Sequence, residues 1–385
     1  MDIDKIRSQI PTCQRMSYLN TGWSGPSPVR VVEAMTKRLE YESYEGPTSQ
    51  PVQESAEKLR LETRDAVARL LNVSPTEVAL TQNTTEGLNM VISGFPWREG
   101  DEIITFDIEH PSVIVPCLYA QRRHGVQVRS LPLSTNDDWD TIVSKVEDAL
   151  NPKTRMVAFS HIQYSCGLRM PLDGIRRLTK DRDIYMLVDG AQTPGHIALD
   201  LAASGVDFYS IPSHKWLLGP DGAGALYIGD DLIEMIQPSY VGHSVVDLSK
   251  NPVEFDFSSM DKFRVSTTSS PIAAGLLEAI TFIQEIGVDE IEARNIELSS
   301  ALKAKLLDLP GFRVISPLEG PGVCGLTSFR IDGADPKEMV QRLWEEEQIV
   351  ARPVARPESI RISSDFFNTE DELEKLVAAL QRIRG

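Results

Sequence analysis

The sequence predicts an α/β protein with two parts: a large domain built on a mainly parallel, seven-stranded sheet, and a smaller C-terminal α/β domain. From Glu77 to Ile228, short apolar runs alternate with amphipathic helical segments, which is typical of a parallel sheet covered by helices on both faces. The alternation is lost over residues 239–259 and resumes after two long helical segments. The chain of 385 residues is long enough for two such units.

The large domain accounts for seven predicted strands with helices between them. Short apolar runs predict strands at 78–81, 103–106, 126–131, 156–159, 184–188, 208–211 and 223–228. Helical periodicity predicts helices at 87–92, 113–122, 141–150 and 172–179. The segments before the first strand are a helix at 2–10, a loop rich in glycine and proline at 18–26, and helices at 28–44 and 51–71.

The last third of the chain alternates again and predicts the smaller domain. Long helices are expected at 272–286 and 289–307, then strands at 312–315, 326–331, 349–352 and 360–363, with helices at 336–345 and 371–383. We therefore divide the chain into an N-terminal segment (1–20) that packs on the small domain, a large domain (21–260) and a small domain (261–385), joined by a long helix near 271–287.

Composition narrows the range of partners and compartments. A net charge of −17 argues against nucleic acid and against anionic membranes, since binding to phosphates requires a basic surface. The N-terminus has no signal-peptide pattern and no apolar run is long enough to span a membrane. The four cysteines form no C-x-x-C pair, and no metal-binding motif is present. We expect a soluble cytoplasmic protein with reduced thiols and no metal.

Lys215 is the most informative single residue. It is the only lysine between Lys180 and Lys250, and it lies in a mostly apolar run that ends in Trp216-Leu217-Leu218. Low-polarity surroundings favour the neutral, nucleophilic amine, which can form a Schiff base with an aldehyde. The alternative is a side chain whose stem packs on apolar neighbours while its amine reaches water.

Asp189 supports the first interpretation. It ends the apolar strand 184–188 and could hold a pyridinium nitrogen protonated; a lysine imine and an aspartate on the ring nitrogen are the protein's contribution to pyridoxal phosphate (PLP) chemistry. Thr84 and Thr85 join a strand to a helix, where free N–H groups favour a phosphate. An ordinary turn after the strand, and a helix with Thr84 as its N-cap, are the alternatives.

Two further candidate site residues are His110, which follows a predicted strand, and Arg361, which lies within one. His110, after the strand at 103–106, could stack on a flat ring or transfer protons, although a histidine in a loop usually has a structural role. Arg361 lies in an alternating strand and could bind a carboxylate with two hydrogen bonds. Alternation alone favours a solvated strand face for Arg361.

Taken together, these segments resemble class V aminotransferase-fold enzymes, and within them the cysteine desulfurase and cysteine/cystine C–S lyase branch. The resemblance runs from about Tyr18 to about Leu380 and rests on five motifs. They are Thr84-Thr85-Glu86-Gly87, Glu109-His110-Pro111, Val188-Asp189-Gly190-Ala191-Gln192, His214-Lys215-Trp216 and Arg361. It implies the type I fold of PLP-dependent transferases and PLP as the cofactor.

The resemblance also assigns roles to residues. It implies that Lys215 forms a Schiff base with PLP and moves the Cα proton, and that His110 stacks over the ring. Asp189 would pair with the ring nitrogen and Gln192 with the phenolic oxygen. The residues expected at the phosphate are Thr84, Thr85, Ser213, His214 and, from the partner subunit of a homodimer with a shared site, Thr267. Those expected at the substrate are Arg361, Asn20, Gly22, Tyr164 and Arg264.

Departures from the family pattern bear on the reaction. Desulfurases carry a reactive cysteine in the loop before the strand of Arg361, but residues 349–358 contain none. Tyr164 stands where desulfurases have an asparagine, Pro212 stands where a phosphate-binding hydroxyl is usual, and Arg264 replaces an acidic residue. We therefore expect a C–S β-lyase acting on a cysteine- or cystine-like amino acid. An aminotransferase, an epimerase and a non-catalytic protein of the same fold are the alternatives.

Overall fold

The computed structural model describes residues 1–250 and 252–384, and twelve helices and thirteen strands are found there. The helices are α1 (Ile3–Ser8), α2 (Val29–Glu45), α3 (Gln50–Leu71), α4 (Thr84–Gly94), α5 (Pro111–His124), α6 (Trp139–Ala149), α7 (Leu172–Thr179), α8 (Leu201–Ser204), α9 (Ser270–Ile286), α10 (Val288–Leu307), α11 (Pro336–Glu347) and α12 (Glu370–Arg384). The strands are β1 (Ser17–Tyr18), β2 (Val78–Thr81), β3 (Glu102–Phe106), β4 (Gln127–Leu131), β5 (Thr154–Ser160), β6 (Tyr185–Asp189), β7 (Phe208–Pro212), β8 (Gly224–Ile228), β9 (Phe312–Val314), β10 (Leu326–Ile331), β11 (Ile349–Val350), β12 (Arg352–Ala355) and β13 (Glu358–Ser363).

The large sheet has seven strands in the order β2-β8-β7-β6-β5-β3-β4. Only β8 runs antiparallel to its neighbours, β2 and β7. The central strands β5, β6 and β7 are buried almost throughout, because helices cover both faces of a parallel sheet. The predicted α/β class and the mainly parallel, seven-stranded sheet are confirmed.

A second sheet forms in the last third of the chain. Its four antiparallel strands have the order β12-β13-β10-β9, and their apolar faces share a core with α10, α11 and α12. The N-terminal strand β1 pairs in parallel with β11, and Asn20 forms an isolated bridge with Ser363. The domain limits given above stay a prediction.

Helix α9 lies between the two sheets in the chain and packs against α2 and α3. Among the described residues, no single helix is long and apolar enough to cross a membrane. The consecutive pair α9 and α10 reaches that length and apolarity only when taken together, and the two helices meet at a bend of 76°.

Several predicted boundaries are wrong, for local reasons. The first helix ends at Ser8 instead of residue 10, and a 3₁₀ turn follows at Pro11–Gln14, where the ring of Pro11 fits a helix start. The strand predicted at 349–352 is two strands, β11 and β12, which belong to different sheets. The N-cap of α4 is Asn83 rather than Thr84, because the Asn83 side chain accepts the hydrogen bond from the Glu86 amide.

Candidate active site

The residues singled out from the sequence gather at one edge of the large sheet. Strands β2, β3, β5, β6 and β7 all end there, and β8 begins there. In open α/β sheets, ligands bind beyond the carboxyl ends of the strands. The short segments after these five strands carry most of the predicted site.

Lys215 follows β7 directly and lies close enough to Asp189 for their charges to interact. The pKa of the Lys215 amine is lowered to about 8, mainly by burial; the Asp189 carboxylate opposes the shift, and the cations of Arg361 and Arg352 add to it. A larger fraction of this amine is therefore neutral near neutral pH than for an exposed lysine. The structure thus gives Lys215 the character of a nucleophile.

Asp189 ends β6 and is 3% exposed. Burial raises the pKa of its carboxyl group, while the nearby Lys215 ammonium lowers it. One carboxylate oxygen accepts a hydrogen bond of 2.8 Å from the Ala191 amide, which fixes the orientation of the group. A buried carboxylate beside a lysine can hold a protonated ring nitrogen in place.

Gln192 is buried and its side-chain amide is held on both sides. Its Oε1 accepts a hydrogen bond of 2.8 Å from the Trp216 indole, and its Nε2 donates one of 2.8 Å to the Gly22 carbonyl. A side chain at Gly22 would crowd Gln192 Oε1 and Ser363 Oγ, so glycine allows the 20–25 loop to approach this closely.

His110 is the N-cap of α5, and its Nδ1 accepts a hydrogen bond of 3.1 Å from the Ser112 amide. The proton of the neutral ring is therefore on Nε2. Burial lowers the pKa of His110 to about 4, and the cations of Lys215, Arg352 and Arg361 contribute to that shift. The ring packs edge-on against Tyr164, with centroids 4.9 Å apart.

Glu109 fixes the loops that carry His110 and Tyr164 relative to each other. Its buried carboxylate accepts hydrogen bonds from the amide and hydroxyl of Ser160 and from Gln163 Nε2. Burial raises the pKa of Glu109 to about 7. No role for Glu109 was predictable from its own neighbourhood, because its partners Ser160 and Gln163 lie at and just beyond the end of a different strand, β5.

The N-terminus of α4 lies beside the carboxyl end of β7. Ser210 of β7 donates a hydrogen bond of 2.9 Å to the Thr84 carbonyl, and a Cβ at Gly87 would overlap the Ser210 hydroxyl. Thr84 Oγ1 is buried without a partner among the described residues, whereas Thr85 is exposed and bonds Ser112 Oγ at 2.8 Å. Free amides and an unpaired hydroxyl at a helix N-terminus suit a phosphate.

The other two predicted phosphate residues have different surroundings. Ser213 is fully buried, and its hydroxyl packs against the backbone of Gly219. His214 is partly exposed, and its Nδ1 lies 3.8 Å from an oxygen of Asp221. Burial lowers the pKa of His214, while Asp221 opposes the shift.

Arg361 is completely buried, so the solvated strand face that its alternating pattern favoured is wrong. The pattern failed because Asn20, after β1, and Tyr164, after β5, cover this face of β13. Its guanidinium donates to the Tyr164 carbonyl at 2.9 Å and, more weakly, to Asn20 Oδ1 at 3.4 Å. It has no carboxylate partner in the described part of the chain, and its Nε is unpaired.

Arg352 is a site residue that the sequence analysis missed. It pairs directly with Arg361 across β12 and β13, and its guanidinium lies 4.3 Å from the ring centroid of Trp23 and 5.9 Å from that of Tyr164. Residues 1–250 and 252–384 provide no carboxylate for it either. The signal that would have found Arg352 is a short turn near Pro357, which pairs the two strands and brings the two arginines opposite each other.

Two predicted residues lie outside this group within one chain. Arg264 forms an ion pair of 3.1 Å with Glu57 of α3. Thr267 lines, with Gln82 and Tyr240, a cavity of about 480 Å³ on the α3 side of β2. Neither residue is among the charged or hydrogen-bonding neighbours of Lys215 in the structure.

The residues at the sheet edge fit PLP. The unpaired Thr84 hydroxyl and the first turn of α4 can receive the phosphate, the Lys215 amine can receive the aldehyde, and Asp189 can receive the ring nitrogen. Because the guanidinium groups of Arg352 and Arg361 have no carboxylate partner among the described residues, they can bind an anionic substrate. Fold and site thus define the class: a PLP-dependent enzyme on a type I transferase fold.

The chain belongs to a known family within that class. The family model described as Aminotransferase class-V matches residues 18–376, so the family resemblance and the prediction of an enzyme are confirmed. A probable cysteine desulfurase of Methanothermobacter thermautotrophicus is 30% identical over 402 residues, covering 100% of this chain and 99% of that protein. An isopenicillin N epimerase of Streptomyces clavuligerus is 31% identical over 396 residues, with the same coverage.

Two solved structures are similar over almost the whole chain. One is a lysine-to-alanine mutant of C-DES with glycine covalently linked to its PLP cofactor, with a TM-score of 0.91 and 32% identity over 97% of this chain and 98% of that one. The other is the cystine C–S lyase C-DES in complex with its product cysteine persulfide, with a TM-score of 0.90 and 32% identity over 97% and 99%. These relatives support PLP as the cofactor and leave more than one reaction open.

Proposed function

We propose that this protein is a PLP-dependent C–S β-lyase acting on cystine or a similar amino acid with two carboxylates. The observation that carries the proposal is the pair of guanidinium groups, Arg352 and Arg361, which lie side by side near Lys215 without a carboxylate partner among the described residues. A cation held away from water without a counter-ion is costly, so the fully buried Arg361 and the half-buried Arg352 together favour a ligand with two negative groups.

Arg361 is the better placed residue for the α-carboxylate. Its two hydrogen bonds to Tyr164 and Asn20 hold the guanidinium plane and leave further N–H groups free to donate. A carboxylate bound there orients the amino acid relative to Lys215. Because chemistry at Cα depends on which bond is aligned for cleavage, this contact selects the reaction.

Arg352 would receive the second carboxylate. The rings of Trp23 and Tyr164 pack near its guanidinium group, which keeps the side chain extended beside the site. Cystine carries a second amino-acid end beyond its disulfide, whereas cysteine does not. The arginine pair therefore favours cystine over cysteine.

Lys215 would move the proton. With a pKa of about 8, its amine can take a proton from Cα and return it later. Bound PLP supplies the electron sink for that step. Elimination from cystine with one water would give pyruvate, ammonia and cysteine persulfide, so that the Cβ–S bond breaks and the disulfide sulfur leaves with the product.

The cysteines support release of sulfur in the product rather than its transfer to the protein. All four cysteines are buried, and burial raises the pKa of each thiol. A thiol accepts sulfur as a thiolate, so a buried thiol with a raised pKa is a poor acceptor. Cys324 also bonds the Gly167 carbonyl at 3.0 Å.

A homodimer with a shared site remains part of the proposal. Exposed apolar residues of α5, namely Val115, Leu118 and Tyr119, follow helical spacing and are suited to an interface. In such a dimer, Thr267 and Arg264 would contribute to the partner's site.

Incubation of the PLP-loaded enzyme with cystine and, separately, with cysteine tests this function. We expect pyruvate from cystine and a much lower kcat/KM with cysteine. Release of no pyruvate from either amino acid would contradict the proposal.

Similarity to the isopenicillin N epimerases favours epimerisation as a second candidate. An epimerase would exchange the Cα hydrogen with solvent and return the opposite stereoisomer of an intact amino acid. Chiral chromatography of an amino-acid panel incubated in heavy water separates this outcome from elimination.

A further inference from the structure

Gln192 is held by a chain of contacts that involves two residues without an assigned role, Trp216 and His196. The Trp216 indole N–H donates to Gln192 Oε1 at 2.8 Å. The two ends of an amide side chain differ, since the oxygen only accepts and the nitrogen only donates. The indole donor therefore fixes which end of the Gln192 amide faces Trp216.

The other end of the amide is then an NH₂ group. One of its N–H bonds goes to the Gly22 carbonyl at 2.8 Å, and the second has no acceptor in the part of the chain that the structure describes. Gln192 follows Asp189 by three residues on the segment that leaves β6. The free N–H is therefore available to an acceptor on a ring held by Asp189.

His196 holds Trp216 in position. The two rings stack with centroids 3.7 Å apart and planes 13° from parallel. His196 is fully buried, its Nδ1 lies 2.7 Å from the Gln192 carbonyl, and its Nε2 accepts from the Gly325 amide at 2.9 Å. Both nitrogens are engaged, which fixes the neutral tautomer with its proton on Nδ1.

Gly325 precedes β10, so His196 ties the segment after β6 to the second sheet. A Cβ at Gly325 would lie 2.7 Å from His196 Nε2, which means that only glycine leaves space for this approach. Burial lowers the pKa of His196 to about 3. The ring thus stays neutral at ordinary pH, and its Nε2 continues to accept the hydrogen bond from the Gly325 amide.

We propose that Trp216 and His196 are positioning residues that hold the Gln192 amide with its NH₂ group towards the phenolic oxygen of PLP. Without the indole donor, only the Gly22 carbonyl holds the amide, so the NH₂ group is fixed less firmly towards the phenolic oxygen and donates to it less strongly. A donor withdraws charge from the phenolic oxygen, so its loss strengthens the neighbouring protonated imine. The pH at which the cofactor absorption changes would then rise.

This inference rests on PLP binding and not on the C–S lyase reaction, because its readout needs no substrate. The experiment is a pH titration of the cofactor absorption in the PLP-loaded protein. Trp216→Phe keeps an aromatic ring against His196 and removes the indole N–H together with part of the buried ring volume. We expect the midpoint to rise by about half to one pH unit, which is the effect of one hydrogen bond.

The chain offers a matched control in Trp139, whose indole donates to the Arg169 carbonyl at 2.8 Å, away from Lys215. Trp139→Phe loses the same kind of bond and should leave the midpoint unchanged. His196→Phe, which keeps stacking but loses both hydrogen bonds, should shift it in the same direction as Trp216→Phe. This variant also serves as the test if Trp216→Phe does not fold.

A double-mutant cycle shows whether the effect passes through Gln192. If it does, Trp216→Phe has no further effect in a Gln192→Ala background. An unchanged midpoint in both Trp216→Phe and His196→Phe would overturn the proposal. So would a Trp216→Phe shift that persists in full without the Gln192 amide.

Discussion

Arg352 and Arg361 are two cations paired across adjacent strands with no carboxylate between them among the described residues. Burial and the neighbouring charge lower the pKa of Arg361. Such an arrangement costs stability in the free protein and is relieved by a bound anion. At the scale of single residues, this pair is the strongest indication of what the substrate carries.

Arg352→Gln tests the second carboxylate. A charge-assisted hydrogen bond contributes roughly 1.5–3 kcal/mol, so the variant should lower kcat/KM for cystine about tenfold or more and change that for cysteine little. Arg313→Gln is the control, since Arg313 is exposed and pairs with Asp332, the residue that follows the neighbouring strand β10. An equal decrease in kcat/KM for cystine and for cysteine would show that Arg352 does not bind the second carboxylate.

Lys215 gives a pH prediction. Only the neutral amine attacks an aldehyde, and its fraction grows as the pH approaches the pKa from below. The rate of PLP attachment to the cofactor-free protein should therefore rise with pH, reach half of its maximum near pH 8 and level off about one pH unit higher, following the pKa of about 8. Stopped-flow absorbance measures it. A rise that continues towards about pH 10, the ordinary lysine pKa, would contradict this.

Site residues were predictable from the sequence where the residues next to them in the chain form a recognisable pattern. Lys215 stands in an apolar run and Asp189 ends a strand, and both lie at the same sheet edge. Arg352 and His196 were not predictable in this way. The role of Arg352 depends on its contact with Arg361, and that of His196 on its contact with Gly325; both contacts form only in the folded protein.

At the scale of elements, the close approach of α4 to β7 forms the position that we propose for the phosphate. The approach requires Gly87, because a side chain there would overlap the Ser210 hydroxyl. The first turn of α4 then lies beside the loop that carries Lys215. Helix and strand are thus held at a separation that a larger residue would increase.

Gly87→Ala should weaken PLP retention and lower the free energy of unfolding by about 1–3 kcal/mol, as expected when a packed contact is overfilled. Dialysis followed by absorbance measures retention, and chemical denaturation measures stability. Ser93→Ala, on the same helix, is the control and should change stability by less than about 0.5 kcal/mol. Unchanged retention in Gly87→Ala would mean that the first turn of α4 does not hold the phosphate.

Most elements of the large sheet were predictable because buried parallel strands are short, continuous apolar runs. The separation of β11 from β12 was not. The residue between them is Ala351, and neither a glycine nor a proline at that position marks a break. The division arises because β11 pairs with β1 from the other end of the chain. Sequence periodicity does not contain such long-range pairing.

At the scale of the whole molecule, the two sheets meet around the site. Arg169, which follows β5, forms an ion pair of 2.8 Å with Glu292 of α10, and Ser328 of β10 donates to the Ser165 carbonyl at 2.7 Å. The loop that carries Tyr164 is therefore held by both sheets. The site depends on their relative position.

The shared site of a homodimer can be tested by mixing variants. In a dimer of one Lys215→Ala chain and one Arg264→Ala chain, a shared arrangement leaves one site with both native residues. Random mixing of these two inactive proteins should then restore about a quarter of the wild-type activity. If mixed dimers form but activity is not restored, Arg264 does not contribute to the active site of the partner subunit.

The most direct measurement is mass spectrometry of the products and of the intact protein after turnover of cystine. We expect equal amounts of pyruvate and cysteine persulfide, with no sulfur added to the protein, because all four thiols are buried. Sulfur bound to a cysteine of the enzyme, or an intact amino acid of inverted configuration as the sole product, would contradict it.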